Sequence, residues 1–254
     1  MIILASDLQS SVRDENNQRT PCKMPDANGV LSLIAANLKK RENFLFVAND
    51  PADREGNDAY AGGMFRAFEL SGMPFKTLKI LDNRTIKDAP NLVKWADFVH
   101  LAGGRIPCQM DFFNKVSLKK LLTEYERENR GVVVGTSAGA MCCCREICNF
   151  PEDLADIPGE RFIAGMGFTD LSVIPHFDAK TKTYQNDCPE VDVVAWIMKL
   201  SQGRTFNAFP DGSYITLHNG ETKFHGDHYT IQNGNISKAK IPLHNQGTPK
   251  GQGD

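Results

Sequence analysis

Gly135-Thr136-Ser137-Ala138-Gly139 has the spacing of a nucleophile elbow, Gly-x-Ser-x-Gly. A serine that attacks a carbonyl must protrude from the end of a strand on a tight turn. Glycines two residues before and two after it remove the side chains that would collide there. The motif is short, and a strand-to-helix turn that merely needs small residues would carry it too. The run before it, Val132-Val133-Val134, reads as a strand buried on both faces. Residues 140–147 can start a helix, whose first N–H groups would face developing negative charge.

A serine nucleophile needs a base, an acid to orient the base, and donors for the oxyanion. His176 is the leading base. In Val173-Ile174-Pro175-His176-Phe177-Asp178 an apolar strand ends and a polar loop begins. Sites on parallel sheets lie at such carboxyl ends of strands. His100, just ahead of Gly103-Gly104, is the second candidate. His218, His225, His228 and His244 read as surface, turn or tail residues. For the acid, Asp211 in Phe209-Pro210-Asp211-Gly212-Ser213 lies between two strand-like runs, although a plain Pro-Asp-Gly turn has the same residues. Asp178 and Asp153 are its rivals. One oxyanion N–H should come from Ala138 and another from the pair Gly103-Gly104. That pair is not a dinucleotide fingerprint, because no third glycine follows at the required spacing. Cys142, Cys143, Cys144 and Cys148 do not make a metal site, since consecutive thiols on one helix point in different directions. They read as small buried residues. No metal and no organic cofactor is expected.

The elements that would position these residues alternate. Strands are expected at residues 1–6, 44–48, 75–81, 96–101 and at the valine run. Helices are expected at 28–40, 58–70, 112–130 and 191–200. Residues 10–26 are polar and irregular, long for a loop. Alternation of this kind argues for an α/β fold: a mostly parallel, flavodoxin-like sheet with helices on both faces. From residue 205 the pattern changes to short strands. Turn signals at Asn219-Gly220, His225-Gly226 and Asn233-Gly234 predict an antiparallel meander on the sheet edge. Residues 1–245 read as one domain. Residues 246–254, rich in Gly, Gln and Pro, read as a disordered tail.

Composition bounds the function. The chain has 254 residues, of which 41% are hydrophobic and 24% charged, as in an ordinary soluble domain. A net charge of -2 offers no basic field for nucleic acid. No apolar run approaches the ~20 residues of a membrane span. The start, Met1-Ile2-Ile3-Leu4-Ala5-Ser6-Asp7, lacks the charged and long apolar regions of a signal peptide. Seven cysteines, three of them consecutive, do not suggest a disulfide framework, so a reducing cytoplasm is expected.

Taken together, four segments resemble peptidase family S51, which contains dipeptidase E and cyanophycinase. They are Ala102-Gly103-Gly104, Gly135-Thr136-Ser137-Ala138-Gly139-Ala140, Ile174-Pro175-His176-Phe177 and Phe209-Pro210-Asp211-Gly212. They come in the family's order and with similar spacing, and the resemblance covers most of the chain from about residue 44 to about residue 230. The resemblance implies a class I glutamine amidotransferase-like fold with serine in place of cysteine. It implies a Ser-His-acid triad in that chain order, which singles out Asp211 over Asp153. It implies hydrolysis of a small peptide or amide through an acyl-enzyme. Dipeptidase E has Glu in the segment that holds Asp211, and its stretch after the histidine bears arginine. Here that stretch offers Lys180, Lys182 and Tyr184 as substrate contacts, and no arginine. A bidentate clamp on a carboxylate favours Arg, so strict aspartyl specificity is not expected. The reading from another class is a ligand-binding or regulatory module on the same fold, with the triad idle. The two differ in geometry: a working site needs His176 within hydrogen-bond reach of Ser137 and of an acid. A homodimer is left open.

Overall fold

In the computed structural model, residues 1–15, 18–149, 161–178, 183–184 and 192–239 are described. Five parallel strands form its centre: β1 (Ile2–Ala5), β2 (Asn43–Val47), β3 (Thr77–Leu81), β4 (Phe98–Leu101) and β5 (Val132–Thr136). The strands that later complete the two larger sheets are β6 (Val173–Ile174), β7 (Thr205–Ala208), β8 (Tyr214–His218), β9 (Glu221–His225), β10 (Tyr229–Gln232) and β11 (Asn235–Lys238). The central sheet runs in the order β9-β8-β1-β5-β4-β2-β3, with β8 and β9 antiparallel at one edge. A second sheet runs β6-β7-β10-β11. The helices are α1 (Val30–Asn37), α2 (Arg54–Leu70), α3 (Ala89–Trp95), α4 (Ile106–Lys115), α5 (Leu118–Arg127), α6 (Ala138–Cys142) and α7 (Val193–Leu200). The fold is α/β, with a mostly parallel sheet covered on both faces.

The two faces are visible in residue parity. Ile2, Leu4, Val99, Leu101 and Val133 enter one apolar core. Their neighbours Ile3, Ala5, Phe98, Val132 and Val134 enter the other. Successive strand side chains point to opposite faces, so a strand buried on both sides has no polar alternation. That is why Val132, Val133 and Val134 are all fully buried. The second sheet shares the first core through Val173, Phe206 and Ile231.

Several elements differ from the sequence expectation. The single helix over 112–130 is two helices, α4 and α5, broken at Ser117 with φ 53°. Apolar spacing continues across the break because Val116 and Leu118 on either side of it are both buried. The helix over 140–147 is only α6. A strand, Glu146–Cys148, follows and pairs with Phe162–Ala164. Residues 10–26 contain a two-stranded ribbon, Ser11–Arg13 against Arg19–Pro21. Helix α3 has no counterpart in the expectation, though Pro90 in its first turn is an ordinary start signal. The C-terminal meander is split: β8 and β9 extend the central sheet, while β7, β10 and β11 belong to the second. Residues 246–254 lie outside the described residues.

Main chains cross where β4 and β5 end and α6 begins. A Cβ on Gly135 would lie 2.6 Å from the Gly139 carbonyl oxygen. One on Gly139 would lie 2.4 Å from the Leu101 carbonyl oxygen. These neighbours are backbone and cannot step aside as a side-chain tip can. Gly139→Ala is therefore expected to cost at least ~1–3 kcal/mol of stability. Urea unfolding of the variant should show a lowered midpoint, and an unchanged midpoint would contradict this crossing.

Candidate active site

Ser137 sits between β5 and α6 at φ 53° and ψ −121°, a conformation sparsely populated for a residue with a side chain. Register fixes its neighbours. Ala5 pairs with Thr136, so the residue after each, Ser6 and Ser137, lie side by side. The Ser137 N–H donates to the carbonyls of Ala5 at 3.1 Å and Ser6 at 3.0 Å. Its hydroxyl meets His176.

His176 follows β6 and Pro175, and its φ is 57°. The imidazole Nε2 lies 2.8 Å from Ser137 Oγ. Its Nδ1 lies 2.7 Å from Asp211 Oδ1. With Nδ1–H donating to the carboxylate, Nε2 is left to accept the serine proton. Asp211 follows β7 on the Phe209-Pro210 turn. Side-chain exposure is 18% for His176 and 23% for Asp211, so the pair is sheltered but reachable. Burial pushes the Asp211 carboxyl up. The hydrogen bond and charge of His176, with the Ser6 hydroxyl, outweigh it and hold the carboxyl below its ordinary value.

The structure brings Gly103 against the serine. A Cβ on Gly103 would lie 3.0 Å from Ser137 Cβ and 3.5 Å from its Oγ. Gly104, at φ 148°, lies directly under the Asn49 side-chain amide. Ala138 is buried as the first residue of α6. Lys180 and Lys182 lie outside the described residues, as do Asp153 and His244. Tyr184 pairs by its backbone with Phe177, the residue after His176.

His100 has no access to the site. It is fully buried among Phe44, Phe46 and Tyr60, with Nε2 3.2 Å from Thr136 Oγ1. Burial pulls its pKa down to about 3, so it stays neutral. His228 is not at the surface: it is buried and packs on Phe209 and Phe224. It lies in the connection between β9 and β10, which folds inward onto these rings, and the turn-rich sequence does not betray that. Cys142, Cys143, Cys144 and Cys148 are buried thiols. Burial pushes Cys144 and Cys148 up to about 12, which rules out a ready thiolate there.

Two residues of the site carry no motif. Tyr60, on α2, has its hydroxyl beside Thr136 and Gly103. Burial raises its pKa above the ordinary value, and Asp7 adds to that. Ser6 touches His176 and Asp211 through its hydroxyl. The one sequence signal for Ser6 is its position at the carboxyl end of a parallel strand.

A profile of peptidase family S51 matches residues 23–225. The chain belongs to peptidase family S51. By class this makes it a serine-type peptidase. No curated protein matches its sequence significantly. Among solved structures, a peptidase from an acI-B1 Actinobacterium is similar, at 16% identity and a TM-score of 0.62 over 95% of this chain and 94% of that one. A proposed peptidase E from Listeria monocytogenes EGD-e is similar at 16% identity and a TM-score of 0.58, over 88% of this chain and 96% of its own. At such identity the likeness is one of fold. Among the described residues, no helix of this S51 peptidase is long and apolar enough to cross a membrane.

The sign of the Asp211 shift sets a pH dependence. A carboxyl held low when folded stabilises the fold in full above its unfolded value, about 3.9. That contribution is lost as pH falls through the lower folded value. The gap in thermal midpoint between wild type and Asp211→Asn should therefore be steady at neutral pH and narrow below about pH 4. A gap that does not change into the strongly acid range would contradict the assignment.

Proposed function

We propose that this chain hydrolyses a small peptide or amide through an acyl-enzyme on Ser137. Ser137 Oγ attacks the scissile carbonyl carbon while His176 Nε2 takes the hydroxyl proton. The tetrahedral oxyanion is held by the Ala138 N–H and by N–H groups of Gly103 or Gly104. His176 then gives the proton to the leaving amine, and the C–N bond breaks. Water attacks the acyl ester with His176 again as base, which frees the acid product and Ser137. Asp211 keeps Nδ1–H oriented and stabilises the imidazolium formed in each half. The observation that carries this reading is the continuous chain Ser137–His176–Asp211, with links of 2.8 and 2.7 Å.

The reaction needs no metal and no organic cofactor, because the serine is activated by the imidazole. The type of substrate is that of dipeptidase E, a short peptide. Strict aspartyl specificity does not follow, since residues 178–191 contain no arginine. Lys180, Lys182 and Tyr184 are our candidates for contacts to the substrate. We read residues 1–245 as one catalytic unit, supported by the apolar core that both sheets share. Free thiols at Cys22, Cys108, Cys142, Cys143, Cys144 and Cys148 support a cytoplasmic location.

Intact mass after incubation with a fluorophosphonate probe tests the reading. Wild type should gain one adduct, and Ser137→Ala should gain none. Against a dipeptide library, Ser137→Ala should lose activity on the order of 10⁴-fold or more. A folded wild type that takes no adduct would instead favour a binding module with an idle triad.

A further inference from the structure

We propose that Ser6 is a positioning residue of the active site, aligning all three members of the triad from a single point. The inference rests on the serine-peptidase reading above. Ser6 lies ahead of residues 23–225, the span matched by the family profile. Its side chain is fully buried.

Ser6 meets Ser137 through its carbonyl and both His176 and Asp211 through its hydroxyl. Its carbonyl accepts the Ser137 N–H at 3.0 Å. Its hydroxyl donates to Asp211 Oδ1 at 2.7 Å. The same hydroxyl oxygen accepts the His176 main-chain N–H at 2.7 Å. Its own N–H donates to the Ser213 carbonyl at 3.2 Å, which ties it to the turn that carries Asp211. Next to it, the Asp7 carbonyl accepts the Gly212 N–H at 3.3 Å.

A hydroxyl suits this place because it both donates and accepts. Asp211 Oδ1 takes two hydrogen bonds, one from His176 Nδ1–H and one from Ser6. The carboxylate cannot swing about its Cβ–Cγ bond without breaking both. The His176 main chain sits at φ 57°, an uncommon conformation for a residue with a side chain. The bond from its N–H to Ser6 Oγ holds it there. The imidazole is thus fixed at its ring by Asp211 and at its backbone by Ser6. Loss of the hydroxyl would free the carboxylate and orphan the His176 N–H together. A misplacement of the base of about 1 Å is enough to cost on the order of 10²-fold in rate.

The test is the second-order rate of labelling by a fluorophosphonate, which needs no known substrate. Ser6→Ala should label roughly ten- to a hundredfold more slowly than wild type. Ser6→Thr, which keeps the hydroxyl, should recover most of the rate. A double-mutant cycle separates positioning from simple loss of fold. If Ser6 acts through Asp211, Ser6→Ala should add little to the loss already caused by Asp211→Asn. Should Ser6→Ala not fold, Ser6→Cys keeps the volume, weakens the donor and enters the same cycle. Wild-type labelling by Ser6→Ala, or full additivity in the cycle, would overturn the proposal while leaving the Ser137 reading intact. Wild type that takes no label, or label retained in Ser137→Ala, would overturn the underlying reading and this one with it.

Discussion

At the carboxyl ends of β4 and β5 and the start of α6 the backbone is packed against itself so closely that Gly135 and Gly139 admit no β-carbon. Everything at the site depends on that crossing. It lets the chain turn from strand to helix within one residue, and that residue is Ser137. The turn forces Ser137 to φ 53°. Such strain persists only where the surroundings over-determine it. Here they do: the strand before it is buried on both faces, and its N–H is claimed by two carbonyls of β1 and its extension. The stability of the sheet is what holds the serine in an unfavourable conformation. The same logic applies at His176, a second side-chain-bearing residue with positive φ.

Electrostatics follow from partial burial. Asp211 is sheltered enough for its hydrogen bonds to matter and open enough to remain ionised. It takes Nδ1–H of His176 and thereby directs Nε2 to Ser137. Deep burial does the opposite at His100. That ring lies a short way along the same sheet, yet desolvation keeps it neutral and aromatic rings enclose it. Two histidines near one serine thus differ in chemistry because of their environment, not their type.

The sequence was most legible where the backbone itself dictates residue type. The elbow glycines are required by a crossing of main chains, so their spacing survives as a motif. Buried parallel strands show as unbroken apolar runs, and the valines before Ser137 do so. The positions of His176 and Asp211 at strand ends were also readable. What holds them was not. The bonds from Ser6 span 170 residues to His176 and 205 residues to Asp211, and nothing local marks them. The helix break at Ser117 was hidden because the residues on both sides of it are buried, so apolar spacing runs through the turn. His228 reads as a surface turn residue because it does lie in a connection, between β9 and β10; its burial comes from packing on Phe209 and Phe224, which the local pattern does not show.

The central claim is that Ser137, His176 and Asp211 act together beneath an oxyanion site made by Ala138 and the Gly103-Gly104 loop. A crystal structure of the protein after reaction with a fluorophosphonate tests it most directly. The account predicts phosphorus bonded to Ser137 Oγ, with the phosphonyl oxygen about 2.7–3.1 Å from the Ala138 N–H and from an N–H of Gly103 or Gly104. Phosphorus on any other residue, or a phosphonyl oxygen turned to solvent away from those donors, would contradict it.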